Sequence, residues 1–265
     1  MTKICSCSCL LLTLLACGAD RERGGELQLK LPKGLKEISG LAQLPDGSLL
    51  AIADEKAHVY RIDVLKRDAG KFAKFGDPVA KGDFEGIAVL DGYIYIVSSN
   101  GKLWRRRFDA PAQDYERFDT GIGKSCEVEG LSEWPEQNSL LIVCKSARRK
   151  SLRGRLTVFA WSATNQELLK QPAISKPFKD MGLPDLSPSG VTFSADRKRL
   201  FFVAAREQYF FETDLQGNLV RGGKFPFRKT HQQTEGVVIT RENTLYLADE
   251  GGKERGKLTR YEPSF

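Results

Sequence analysis

Asp83-Phe84-Glu85-Gly86-Ile87-Ala88 is followed by the turn Asp91-Gly92 and then by Tyr93-Ile94-Tyr95-Ile96-Val97. Two apolar runs joined by a tight Asp-Gly turn make a β-hairpin. The unit recurs four more times. Glu37-Ile38-Ser39-Gly40-Leu41-Ala42 precedes Pro45-Asp46-Gly47 and Leu49-Leu50-Ala51-Ile52-Ala53. Glu127-Val128-Glu129-Gly130-Leu131 precedes Leu140-Leu141-Ile142-Val143, and Ser187-Pro188-Ser189-Gly190-Val191 precedes Leu200-Phe201-Phe202-Val203. Gln233-Thr234-Glu235-Gly236-Val237 precedes Leu245-Tyr246-Leu247. The five glycines are spaced by 46, 44, 60 and 46 residues. A period of about 40–50 residues, with several short strands in each unit, is the pattern of a β-propeller.

Weaker strands follow each hairpin, such as Val59-Tyr60-Arg61-Ile62-Asp63 and Leu156-Thr157-Val158-Phe159-Ala160. No long stretch has a period near 3.6, so helix content should be low. The reading is therefore all-β, a propeller of five four-stranded blades. The alternative is six blades, with a degenerate one inside the longest interval, where residues 162–184 hold three prolines. Leu27-Gln28-Leu29-Lys30-Leu31 could supply the outer strand of the last blade and close the ring. The repeated glycine belongs on the innermost strand, where a Cβ would meet the neighbouring blade. Trp104 and Trp161 should pack between sheets.

The first residues are of another kind. Lys3 is followed by the apolar run Leu10-Leu11-Leu12-Thr13-Leu14-Leu15-Ala16. That run is too short to span a bilayer as a helix, and it has the form of an export signal. Leu14-Leu15-Ala16-Cys17 resembles the bacterial lipobox, in which a cysteine thiol is acylated and the chain is cut just before it. The expected organisation is a lipoprotein signal peptide at 1–16, a tether at 17–26 and one propeller domain at 27–265, with Cys17 as the lipid attachment site. The expected location is the bacterial cell envelope. Gly18 after the cysteine, rather than Asp, favours the outer membrane in a Gram-negative cell.

Of six cysteines, Cys5, Cys7 and Cys9 fall in the signal and Cys17 is the anchor. Cys126 and Cys144 remain, either bridged or as two separate buried thiols. The net charge is +7. Arg105-Arg106-Arg107 and Arg148-Arg149-Lys150 concentrate it, and are read as solvated loops and edge strands. An exported chain is not expected to bind nucleic acid; anionic headgroups suit a tethered one.

Strand alternation places the chemistry. The start of each inner strand and the end of the next lie on one face of the disc. Asp83, Glu85, Glu127, Glu129 and Glu235 come from the motif, and Asp54, Glu55, Asn100, Lys145, Arg206, Glu207, Asp249 and Glu250 from the facing loops. Convergent carboxylates need a counter-charge. A hard cation such as Ca²⁺ would supply it, so Asp83, Glu85, Glu129 and Glu235 are candidate metal ligands. Asp54, Glu55, Glu127, Lys145, Arg206, Asp249 and Glu250 are candidate binding residues at the channel mouth. The competing expectation is that each glutamate accepts backbone amide hydrogen bonds from the adjoining blade. His58 and His231 are the only histidines; either could be a general base, or a plain hydrogen-bonding loop residue. Nucleophile elbow, zinc, P-loop and dinucleotide motifs do not occur.

The five motif copies, with Asp249-Glu250-Gly251-Gly252 and Leu258-Thr259-Arg260-Tyr261, resemble the SdiA-regulated family of bacterial exported proteins. That resemblance runs over residues 27 to 261. It implies a β-propeller and no particular reaction. A second resemblance is to calcium-dependent lactonases of the gluconolactonase type, which implies metal ligands at Glu85 or Glu129 and at Glu235. Ser189 stands where that family has an asparagine ligand, so the match is incomplete there. Propeller phytases are a looser comparison. The expected function is a monomeric binding module for a small-molecule or protein ligand, taking Ca²⁺ at the mouth. The alternative is a metal-dependent hydrolase acting on a lactone or phosphoester.

Overall fold

The computed structural model describes residues 27–225 and 231–262. The signal, the tether and Cys17 lie outside the described residues. Five antiparallel sheets stand around one axis. The chain begins with β1 (Leu27–Lys30). Blade one follows as β2 (Ile38–Gln43), β3 (Leu49–Ala53), β4 (His58–Asp63) and β5 (Asp68–Lys74). Blade two holds β6 (Phe84–Leu90), β7 (Tyr93–Ser98), β8 (Lys102–Arg107) and β9 (Glu116–Asp119). Blade three holds β10 (Cys126–Trp134), β11 (Ser139–Ala147), β12 (Arg155–Ser162), β13 (Glu167–Leu168) and β14 (Ile174–Pro177). Blade four holds β15 (Gly190–Phe193), β16 (Arg199–Ala204), β17 (Tyr209–Asp214) and β18 (Leu219–Lys224). Blade five is β19 (Thr234–Ile239), β20 (Leu245–Asp249) and β21 (Lys257–Tyr261), completed by β1 on its outer edge. The ring is thus closed by the N-terminal strand, as the sequence suggests. Among the described residues there is no α-helix, only short 3₁₀ turns.

The long interval does not hide a sixth blade. The outer edge of blade three is split in two: β13 pairs with Trp161 and Ser162 of β12, and β14 with Arg155 through Val158. After β14, Phe178, Met181, Leu183 and Leu186 fill the core between blades three and four. Trp161 is buried between blades two and three. Trp104 is buried between blades one and two, edge-on to Phe84 with ring centroids 5.5 Å apart.

The glycines form the inner ring. A Cβ on Gly40 would lie 3.0 Å from the Gly86 Cα, and one on Gly86 2.7 Å from the Leu131 amide. One on Gly190 would lie 2.5 Å from the Glu235 carbonyl, and one on Gly236 3.0 Å from Leu41. At Gly40, Gly86 and Gly190 backbone therefore meets backbone, and the missing side chain is what lets neighbouring sheets approach there.

One expectation is corrected. Arg105 and Arg106 are buried, not solvated. Arg105 forks onto Glu116 at 2.8 Å and lies 4.8 Å over the Tyr93 ring. Arg106 donates to the Lys74 carbonyl at 2.6 Å, tying blade two to blade one. Arg148, Arg149 and Lys150 are exposed.

Candidate functional site

The residue before each motif glycine is Ser39, Glu85, Glu129, Ser189 or Glu235. In four blades it is a β-bulge. Pairing passes from Ile38↔Ala53 to Gly40↔Ile52, and from Phe84↔Ser98 to Gly86↔Val97. It passes likewise from Val128↔Cys144 to Gly130↔Val143, and from Thr234↔Asp249 to Gly236↔Ala248. Ser39, Glu85, Glu129 and Glu235 are the extra residues, without a cross-strand partner. A bulge re-aims a side chain out of the normal alternation. Here it brings three carboxylates together: one oxygen from each of Glu85, Glu129 and Glu235 lies within 4.8 Å of the others. Glu85 and Glu129 are buried, and Glu235 is partly so.

Ser189 is spent on structure. Its hydroxyl donates to the Thr234 carbonyl at 2.9 Å and accepts from the Ala205 amide at 3.0 Å, so it joins blades four and five. Ser39 differs: it is buried, and its hydroxyl has no hydrogen-bond partner among the described residues. Ser39, Glu85 and Glu235 line one small axial pocket of about 10 Å³, floored by Leu41, Leu131, Val191 and Val237. That space is close to the minimum for a single water-sized guest.

The electrostatics follow from crowding. Burial, then Glu129, Asp83 and Glu235, push Glu85 up to about 9. Burial, then Glu250 and Glu129, push Glu235 up to about 9. Glu129 rises only to about 7, because Lys145 donates to it and offsets its burial. Burial alone would depress Lys145; its bond to Glu129 and the charges of Glu235 and Glu85 hold it above its ordinary value instead. Glu250 shares a hydrogen bond with Glu235 and is raised, chiefly by burial. Near neutrality the cluster therefore retains protons. No backbone amide among the described residues donates to any of the three carboxylates, so the amide-binding expectation is not met.

The other candidates are distributed as follows. Asp83 is exposed and accepts from Ser99; it acts on Glu85 and Glu129 through its charge, outside the three-carboxylate cluster. Glu127 accepts from the Ser146 hydroxyl at 2.7 Å. Asp54 is half-buried and raised by burial and by Glu37, and one of its oxygens is buried without a partner. Glu55 and Arg206 are exposed. Asp249 is buried at the end of β20, opposite Thr234 and next to Glu250: His231 Nδ1 lies 2.8 Å from it, and Thr234 donates to it at 2.5 Å. The other nitrogen of His231 meets the Tyr261 hydroxyl, so this histidine is locked inside blade five. His58 opens β4, beside Tyr60. Cys126 and Cys144 are free buried thiols. The bulges, the orphan Ser39 hydroxyl and the His231–Asp249–Tyr261 chain were not foreseen. The bulges could have been in four of the five copies: a polar residue directly before the glycine breaks inward-outward alternation, although Ser189 does so without a bulge.

Fold and site together define a five-bladed β-propeller with an acidic cluster on its axis. The family model described as SdiA-regulated matches residues 173–260, the stretch that carries blades four and five. This bears out, over that stretch, the resemblance seen in the motifs. Among curated protein sequences none matches. Of solved structures, the PQQ-bound aldose sugar dehydrogenase of Streptomyces coelicolor is similar at a TM-score of 0.57 and 14% identity, covering 90% of this chain and 98% of that one. A luciferin-regenerating enzyme gives 0.52 and 12%, covering 89% and 95%. A chain of a nidogen/laminin complex gives 0.52 and 16%, covering 85% and 86%. At these identities the likeness is one of fold alone.

Proposed function

We propose that this chain is an envelope-tethered binding propeller whose axial site, Glu85, Glu129 and Glu235, takes a divalent cation, with Ca²⁺ the best fit. The observation that carries the reading is the convergence of three bulge carboxylates within 4.8 Å beside an orphan buried hydroxyl. Hard oxygen donors in a set of this kind suit Ca²⁺. Lys145 already answers Glu129, so the uncompensated pair is Glu85 and Glu235, and a cation entering there displaces their protons. Binding is therefore expected to tighten as pH rises and to release protons. Calorimetry of Ca²⁺ into chelator-stripped protein, in buffers of different ionisation enthalpy, tests this. Saturable binding lost in Glu85→Gln and Glu235→Gln supports the reading. Neither heat nor a thermal shift at pH 9 would remove it. Turnover of a lactone or phosphoester by the Ca²⁺-loaded chain, lost in Glu129→Gln, would move the reading to a hydrolase.

The tether is part of the same proposal. Acylation at Cys17 would hold a monomeric propeller at the membrane with its mouth open to a small-molecule or protein ligand. Mass spectrometry of the mature N-terminus checks it, and Cys17→Ser should leave the chain unacylated.

A further inference from the structure

The ring-closing seam carries a second, oppositely charged site. A groove of about 560 Å³ opens where the segment between β1 and β2 meets the loop between β20 and β21. Lys30, Lys33, Lys36, Lys253 and Arg255 line it, with Glu254 the one acid among its lining residues. Lys30, Lys33, Lys36 and Lys253 are exposed and make no ion pair among the described residues. Glu254 is drawn aside toward Lys257, at 3.8 Å. Five cations against one acid leave an excess of four positive charges in a concave site, where the field is focused.

The scaffold beneath is built tightly. Arg255 is fixed by donating from Nε to the Leu31 carbonyl at 2.6 Å. The Leu31 amide donates to the Gly256 carbonyl at 2.9 Å, and the Gly251 amide to the Lys36 carbonyl at 2.8 Å. A Cβ on Gly256 would strike the Leu35 carbonyl. Residues 31–36 and 251–256 are thereby locked together, and their cations project from a fixed floor. The lysines are mobile point charges and Arg255 a planar fork, a combination suited to phosphate.

We propose that this groove is an anion-binding site for a multiply charged, phosphate-bearing ligand, either a soluble polyphosphate-type anion or a lipid phosphate headgroup. It is separate from the axial glutamates and does not depend on them. Because its walls come from both ends of the propeller, an anion in it bridges the seam and relieves the repulsion among the lysines. The ligand binds only the closed ring, so it stabilises the fold by mass action.

The test uses the full chain, with tripolyphosphate as probe and total ionic strength held constant with sodium chloride. Saturable 1:1 binding is expected. The unfolding midpoint should rise by roughly 5 °C or more at a probe concentration a hundred times Kd. The double variant Lys33→Gln/Lys253→Gln should bind about tenfold more weakly or worse. Arg148→Gln/Arg149→Gln, which removes two exposed charges elsewhere, should bind as the parent does. Displacement of the probe by phosphatidylglycerol vesicles, and not by phosphatidylcholine vesicles, assigns the groove to a lipid headgroup; failure of both to displace it assigns the groove to a soluble anion. Absence of saturable binding at constant ionic strength overturns the proposal, as does equal weakening in the two double variants. Glu85→Gln must leave this binding intact, which separates the groove from the axial site.

Discussion

At the scale of single residues, the motif glycines and the residues before them do different work. The glycine is steric. Gly86→Ala would set a methyl 2.7 Å from one backbone atom of Leu131 and 2.8 Å from its Cβ. Overpacking of that kind costs about 1–3 kcal/mol. At Gly130 the nearest atom would be 3.4 Å away, an ordinary contact. Gly130→Ala should therefore be close to neutral, and urea unfolding of both variants at unchanged m-value checks the contrast. The preceding residue is electrostatic. Glu85 and Glu235 are held near 9 in the fold against an ordinary value near 4.5. Below about pH 4.5 both states are protonated and the groups do not matter. As pH rises toward 9 the unfolded chain ionises first, binds fewer protons than the native one, and stability falls. With chelator present, the unfolding midpoint is expected to drop from pH 5 to pH 9. Glu85→Gln should flatten that slope, and Ca²⁺ should reverse it. A flat profile in the parent would contradict the cluster's electrostatics.

At the scale of elements, blade four shows how a charge is carried inside a sheet. Glu212 on β17 is buried, yet Arg199 from β16 reaches it at 2.9 Å and Arg221 from β18 at 2.6 Å. The two arginines are each about two-fifths exposed, so either alone is a half-screened partner. Losing one should cost about 1 kcal/mol. Losing both strands a buried carboxylate and should cost about 3 kcal/mol or more. Adding Glu212→Met to Arg199→Met/Arg221→Met should recover most of that loss, since an apolar trio has no charge to desolvate. Chemical denaturation of the three variants measures it. None of this was legible in the sequence, because the partners come from three strands whose register no local pattern declares. The blade count was legible, since glycine, turn and apolar run repeat at nearly constant spacing. The grouping of Glu85, Glu129 and Glu235 was legible for the same reason: equivalent positions in a ring must face one axis. Asp83 and Asp249 were harder to place. Asp83 lies just before β6 and Asp249 closes β20 opposite Thr234, so each sits beside a bulge, where a single-residue shift changes which way a side chain faces. Arg105 and Arg106 misled because a run of three arginines looks solvated until its neighbours Glu116 and Tyr93 are known.

At the scale of the whole molecule, stability depends on a closure that no single blade provides. Each sheet buries both faces against its neighbours, so the ring is cooperative only while the last blade is complete. That blade borrows β1, which pairs from Leu27↔Arg260 to Lys30↔Lys257. Leu27 and Leu29 pack against the cluster shared by blades five and one, and Arg67 of blade one reaches the Gln28 carbonyl at 3.3 Å. A charge placed at Leu29 loses apolar burial and forces a carboxylate against that cluster. Leu29→Asp should thus cost about 2 kcal/mol and lower the unfolding midpoint by roughly 4–8 °C. Leu65 is 91% exposed and lies in the turn beside the seam. Leu65→Asp introduces the same charge nearby and should change stability by no more than about 0.5 kcal/mol. The position of the defect matters more than its size. If closure at the seam holds the ring, native-state hydrogen exchange in Leu29→Asp should lower protection first in β19, β20 and β21. Amides of β6, β7 and β8 should keep theirs until global unfolding. Equal loss of protection in all five blades would mean that the ring opens as one unit, with the seam no weaker than any other junction.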